Sequence, residues 1–426
     1  MDGYVVSDGS SRLTRRGFLL VSCSGLVAGA LSLTLKGCFS PRRDLDGSNN
    51  GRVPFNGEPQ DKMPTDDELL NFKINKTIRE MSLEHRVAQL FIVRPESLDG
   101  ANATTQAGGQ AREFLKRWPV GGVLYFAKNL INTTQTTSML ATTMQYALES
   151  NGIPPFLCVD EEGGTVSRIG GNSGFGVANV GDMAVVGASN DPERAANVAA
   201  RIASYLKPLG FNVDFAPVCD IANNPNSNTM RQRAFGSSPE VVARMAAAQV
   251  EAFLESGMLC SAKHFPGIGS AVGDSHEARI TSWQSIEELR KTELVPFVSA
   301  IDAGVPFVMA GHLSVPSITG GNIPASLSYD VIQKLLREEL EYEGLIITDS
   351  LEMGAVDDYS QGDESAVLAL TAGCDIVLLP ANFEAAINRV LGAIQRGDIS
   401  EDRINQSLYR ILRTKFVAMG HLIPEG

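Results

Sequence analysis

The sequence predicts an α/β fold, a single (β/α)8 TIM-type barrel, and three observations point to it. Eight short runs rich in β-branched and aromatic residues alternate with longer segments of helical period. Most of those runs are nearly continuous apolar stretches, the pattern of parallel strands covered on both faces. A charged or imidazole side chain falls at or near the end of several runs, at Asp160, Asp220, Lys263 with His264, His312 and Asp349. Barrels of this kind carry their chemistry at the C-terminal ends of the strands, so the repetition argues for function as well as fold.

The chain has 426 residues, and it begins with an address. Arg15 and Arg16 stand before Gly17-Phe18, and an apolar run from Leu19 to Leu35 follows without a charge until Lys36. A basic head, a modest apolar core and small residues predict a cleaved export signal over residues 1–37, with a retained membrane anchor as the alternative. The arginine pair resembles a twin-arginine signal, which the export machinery reads. Leu35-Lys36-Gly37-Cys38 resembles a lipoprotein cleavage box with Lys36 as a departure, which makes Cys38 a candidate for lipidation. The expected location is therefore exported, in the cell envelope or outside the cell. Membrane contact is expected only through the signal or a lipid on Cys38.

Residues 38–65 are polar and rich in Pro, Gly and Asn, as in a flexible linker, and residues 66–426 form the expected barrel domain. The strand runs are 87–93, 121–127, 155–161, 212–220, 261–267, 306–312, 344–350 and 375–380. Amphipathic helices are expected between and after them, clearest at 192–210, 239–257, 329–344 and 399–420, several ending in the Gly that stops a helix. A doubly wound open sheet is the competing α/β plan, but no G-x-G-x-x-G turn follows the first strand.

Charge narrows the function classes. The chain carries 36 Lys+Arg against 49 Asp+Glu, a net −13, which falls to −15 once residues 1–37, with four bases and two acids, are removed. An acidic surface does not suit nucleic acid, whose phosphates need a basic face. Hydrophobic residues at 43% supply a large core and charged residues at 20% a soluble surface. Cys158, Cys219, Cys260 and Cys374 sit in or beside apolar runs without C-x-x-C spacing, which predicts buried free thiols.

Four segments can carry chemistry. In KHFPGIGSAVGDSH (263–276), Lys263 and His264 close a strand and a glycine-rich loop brings Asp274 two residues before His276. A carboxylate against one imidazole nitrogen fixes the tautomer and lets the other nitrogen give and take a proton. An exposed loop histidine is the plain alternative. In GLIITDSLEMGAV (344–356), Asp349 lies just past a buried strand, where it can serve as nucleophile, metal ligand or helix N-cap. VDEEGGTVSR (159–168) ends a strand with three acids, a Gly-Gly turn and Arg168, and MRQRAFGSSPE (230–240) offers Arg231 and Arg233 as binding or surface charges. A zinc-dependent amidohydrolase-like barrel using His264, His276 and His312 is a rival reading, although no His-x-His closes the first strand.

MSLEHRVAQLF, GGVLYFAKN, VDEEGGTVSR, FAPVCDI, RAFGSSPE, KHFPGIG followed by DSH, and ITDSLEM, in that order, resemble glycoside hydrolase family 3, in its β-N-acetylhexosaminidase branch. The resemblance runs from about Met81 to Gly420. It implies that Asp349 is the catalytic nucleophile, His276 the acid/base and Asp274 its orienting carboxylate. It places sugar-binding groups at Asp160, Arg168, Arg233, Lys263 and His264. The implied reaction is retaining removal of terminal β-linked N-acetylglucosamine, often from peptidoglycan fragments, with a carbohydrate as substrate and with no metal or organic cofactor. Thr165, Met230-Arg231 and Ile268 depart from the usual motifs and bear on which saccharide is preferred. Relatives that are β-glucosidases or phosphorolytic enzymes, and a non-catalytic sugar-binding envelope lipoprotein, are the remaining alternatives.

Overall fold

In the computed structural model, which describes residues 65–224, 230–269, 271, 280–353, 359 and 364–418, each of the eight runs contributes a strand. They are β1 (Phe91–Val93), β2 (Gly122–Tyr125), β3 (Phe156–Val159), β4 (Val213–Asp214), β5 (Leu259–Phe265), β6 (Phe307–Ala310), β7 (Leu345–Thr348) and β8 (Val377–Leu378). The order is β7-β6-β5-β4-β3-β2-β1-β8 with every pairing parallel. The two ends meet at a bridge between Ile347 and Ile376. There the Thr348 N–H donates to the Ile376 carbonyl at 3.1 Å and the Leu378 N–H to Thr348 Oγ1 at 3.0 Å. The sheet is thus a ring without a free edge. The export signal, Cys38 and all of the linker except Thr65 lie outside the described residues.

Strand starts are crowded, which explains the glycine pair at the start of β2. A Cβ on Gly121 would lie 2.1 Å from the Gln89 carbonyl oxygen and one on Gly122 2.5 Å from that of Phe156. Phe156 and Phe307, the first residues of the non-adjacent strands β3 and β6, meet edge to face across the barrel with centroids 5.2 Å apart. Their rings fill the N-terminal end of the interior. Cys158, Cys219, Cys260 and Cys374 are buried and free, as expected.

Helices sheathe the ring, and their ends follow local chemistry. Pro192–Leu209 starts at Asp191, whose side chain accepts the Glu193 N–H, and stops at left-handed Gly210; it buries Ala195, Ala199, Ile202, Leu206 and Leu209 on one stripe. Pro239–Glu255, capped by Ser238, packs against it and buries Val242, Ala246, Val250 and Phe253. The terminal helix Glu401–Ala418 closes the N-terminal end of the barrel. On one face Ser407 and Arg410 reach Asp375, while Lys415 reaches Gln89.

Three elements differ from the sequence expectation. The first run does not begin as strand: Val87 and Ala88 belong to the short helix Leu83–Ala88, capped by Ser82, and only Phe91–Val93 pairs. The fourth run is interrupted because Pro217 has no N–H for the ladder, which resumes at Val218 beside Lys263. The helix expected over 329–344 is Asp330–Glu339, wound in wide π-type turns with the Leu340 N–H on the Leu335 carbonyl. It ends at Glu341 with φ +50°, and the Arg337 guanidinium takes the Tyr342 and Gly344 carbonyls that a longer helix would have used.

Candidate active site

At the exit of β3 two neighbouring glutamates do different work. Glu161 turns into the following loop, where Oε1 accepts Ser167 Oγ at 2.6 Å and the Gly170 N–H at 2.8 Å, and Oε2 accepts the N–H groups of Arg168 at 2.6 Å and Ile169 at 3.0 Å. One carboxylate therefore shapes the backbone on which Arg168 sits. Glu162 turns the other way, into the barrel mouth. Its Oε2 and Oε1 accept Arg233 Nε and Nη2, each at 2.7 Å, and Oε1 lies 2.7 Å from Lys263 Nζ. Burial opposes the charge on Glu162, but the Lys263 ammonium and Arg233 guanidinium outweigh it and hold the carboxyl well below its usual range.

Lys263 and His264 are adjacent in β5, where an even pleat would send them to opposite faces. The register against β6 shifts between Lys263 and Phe265, with Lys263 opposite Met309 and Phe265 opposite Ala310, so His264 is the inserted residue. Both side chains consequently join one network. Lys263 Nζ donates to Asp160 Oδ1 at 2.7 Å, and the buried Asp220 Oδ2 is 2.7 Å from His264 Nδ1. His264 Nε2 lies 3.4 Å from Arg233 Nη2. Side chains from the exit of β3, from the segments after β4 and from β5 thus form one chain of acids and bases: Asp160, Lys263, Glu162, Arg233, His264, Asp220, in which Arg233 and His264 are the one adjacent pair of bases. Burial lowers the Lys263 pKa, but Asp160 and Glu162 more than reverse this, so the group is held as an ammonium ion.

Asp349 stands at the end of β7, its N–H on the Ala310 carbonyl at 2.8 Å. Oδ1 accepts the Ser350 N–H at 2.7 Å, while Oδ2 has no hydrogen bond among the described residues. Burial pushes its pKa up. His264 and His312 in their protonated forms, the Ser350 N–H and Lys263 outweigh that effect and keep the carboxyl below its ordinary value. A carboxylate with one oxygen anchored and the other uncommitted is chemically suited to attack an electrophilic carbon. His312 supports it from behind: Nε2 is 2.8 Å from the Ser350 carbonyl and Nδ1 2.8 Å from Ser326 Oγ.

The structure therefore brings Asp160, Arg233, Lys263 and His264 into one network and sets Asp349 within its electrostatic reach. The Arg168 backbone is tied down, but its guanidinium makes no hydrogen bond or ion pair among the described residues. Asp274 and His276 lie outside the described residues. Glu162 was missed by the sequence reading as a site residue; the available signal was two cations, Lys263 and Arg233, short of partners. Among the described residues no group of three or more His, Cys, Asp or Glu side chains is placed to hold a metal ion. An open groove of about 800 Å³ runs beside the helix Thr133–Asn151, lined by neutral polar groups such as Thr105, Gln106, Thr134 and Ser138, and contains none of these charged residues.

Comparison with known proteins agrees with this geometry. The family description "Glycosyl hydrolase family 3 N terminal domain" matches residues 82–414. Beta-hexosaminidase A of Pseudoalteromonas piscicida is 31% identical over 337 residues, covering 74% of this chain and 56% of that protein. Beta-hexosaminidase of Stenotrophomonas maltophilia is 34% identical over 300 residues, 68% of this chain and 85% of that one. A solved glycoside hydrolase family 3 beta-N-acetylglucosaminidase from a Paenibacillus species superposes with a TM-score of 0.74 at 37% identity, over 80% of this chain and 63% of that one. The chain thus spans a little over half of the first relative and under two thirds of the solved structure. Eight parallel strands, charged groups at their C-terminal ends and a family match over most of its length place the chain in glycosyl hydrolase family 3.

Proposed function

We propose that this protein is a retaining exo-β-N-acetylhexosaminidase that removes terminal β-linked N-acetylglucosamine, with peptidoglycan fragments or related glycans as substrate. The observation that carries the proposal is the ionised Asp349, its Oδ2 without a hydrogen bond among the described residues, beside a fixed array of hydrogen-bonding charges. The names of the relatives supply the sugar. Asp349 attacks the anomeric carbon and forms a covalent glycosyl-enzyme. A second group protonates the departing oxygen and then activates water, as retaining hydrolysis requires. His276 takes that second role, oriented by Asp274. Asp160, Lys263, His264, Arg233 and Arg168 grip ring hydroxyls and favour the flattened, oxocarbenium-like sugar. No cofactor enters the reaction.

The N-terminal arginine pair and the apolar run after it support an exported protein that works in the cell envelope or beyond, with Cys38 as its lipid anchor. Mass spectrometry of the mature N-terminus tests that part.

For the reaction, purified protein should release p-nitrophenol from the β-N-acetylglucosaminide, and Asp349→Ala should lose about a thousandfold or more in kcat. Unchanged turnover in that variant would remove Asp349 from the nucleophile role. A panel of aryl β-glycosides with and without phosphate separates hexosaminidase from glucosidase and phosphorylase.

A further inference from the structure

We infer that Asp220 is a positioning residue for this reaction, because it fixes the tautomer of His264 and anchors the exit of β5 with the same carboxylate. The inference rests on the proposed role of His264 as a sugar-binding group. Asp220 is fully buried just before the segment that leads to Arg233. Its Oδ2 faces His264 Nδ1 at 2.7 Å and also accepts the His264 backbone N–H at 3.3 Å. Its Oδ1 accepts the Ile268 N–H at 2.8 Å. Both oxygens are thus acceptors, toward two points four residues apart where β5 turns into its loop.

The other imidazole nitrogen fixes the tautomer of the neutral ring. A guanidinium only donates, so the contact of Arg233 Nη2 with His264 Nε2 at 3.4 Å requires a lone pair on Nε2. The proton is then on Nδ1, directed at Asp220. The Arg233 contact is long, at 3.4 Å, so a bound sugar hydroxyl can take over the single Nε2 lone pair on the side of Arg233 and Glu162. Arg233 is itself locked by Glu162, so the ring has no second orientation that satisfies both neighbours.

An amide cannot replace this carboxylate. In Asp220→Asn either the Ile268 N–H or the two His264 donors, Nδ1–H and the backbone N–H, must face an NH2 group. Keeping the Ile268 contact puts the NH2 against Nδ1 and drives the proton to Nε2, where it opposes Arg233. The expected result is a reversed His264 tautomer, read from histidine 15N shifts and assigned by the loss of signals in His264→Gln; the chain has only five histidines. KM for the aryl N-acetylglucosaminide should rise about tenfold or more, with a smaller change in kcat, because the lost contact is made to the bound sugar before the transition state. Asp220→Glu, which keeps two acceptors, should retain the Nδ1–H form and recover part of the loss. A His264 that remains Nδ1–H in Asp220→Asn, together with wild-type KM, would overturn the inference. Wild-type protein that turns over no aryl N-acetylglucosaminide would instead sink the functional reading, while the tautomer measurement would stand by itself.

Discussion

The two ends of the barrel bury charge in opposite ways. At the mouth, acids and bases are linked in one chain from Asp160 to Asp220, and each side chain is held by another side chain. At the floor, the buried Asp375 faces an excess of cations, with Arg337 at 2.7 Å, Arg410 at 3.1 Å and Arg403 at 3.9 Å. Those arginines also bind main chain: Arg337 holds the Tyr342 and Gly344 carbonyls, and Arg403 that of Cys374. Lys415, also at the floor, has no carboxylate partner among the described residues; it donates to Gln89 Oε1 at 2.9 Å and lies 4.8 Å from the centre of the Phe156 ring. The floor's charges tie chain segments together. The mouth's charges hold one another in place beside an Asp349 oxygen that no other described residue holds, an arrangement that serves the proposed sugar binding better than it serves stability.

Removing an anion from each end should break the comparison in different ways. Glu162→Gln keeps the shape but leaves Arg233 without its paired carboxylate and Lys263 with Asp160 alone. A buried ion pair opened on one side costs about 3–5 kcal/mol. Because both cations are proposed sugar contacts, kcat/KM should also fall about a hundredfold or more. Urea melts and steady-state kinetics on the same preparation check both; a variant that lost stability and kept full kcat/KM would show the mouth to be mere scaffold.

Asp375→Asn should give the converse. Oδ1 accepts Ser407 Oγ and Oδ2 the Ile346 N–H, so the amide loses an acceptor as well as the charge facing three arginines. Stability should drop by about 3 kcal/mol, while kcat/KM per folded molecule stays within about twofold. An equal fall in kcat/KM would mean that the floor is coupled to the mouth after all.

These two ends were not equally legible. The strand rule marked the mouth, because a charge at the end of an apolar run is conspicuous, and it found Asp160, Lys263, His264 and Asp349 with no knowledge of their partners. The partners were harder. Lys263 and Asp160 are 103 residues apart and Arg233 and Glu162 71, and only closing the ring makes them neighbours. Glu161 and Glu162 look alike in sequence; the turn at Gly163, with φ +94°, and Gly164, with φ +54°, accompanies their separation into a loop organiser and a cation holder. The floor was invisible. Lys415 occupies an amphipathic helix where a lysine reads as solvent-exposed, and nothing local shows that its face covers Gln89 and Phe156. Boundaries failed where one residue overrode the pattern, as Pro217 did in β4.

The smallest expected effect tests the floor most finely. Burial lowers the Lys415 pKa from 10.5 to about 7. Between those two values the unfolded chain holds a proton that the folded chain does not, so acidification favours unfolding. The cost is at its full value below about pH 7 and vanishes as pH rises past the unfolded value. Lys415→Met removes that cost, but it also leaves the buried Gln89 Oε1 without its donor, a loss of about 1–2 kcal/mol at any pH. The variant should therefore be more stable than wild type at pH 6, by a few kcal/mol, and slightly less stable near pH 10.5. A stability difference that kept one sign and size across that range would mean that Lys415 is charged in the folded protein throughout. The floor would then hold its lysine as the mouth holds Lys263, and the contrast between the two ends would fail at this residue.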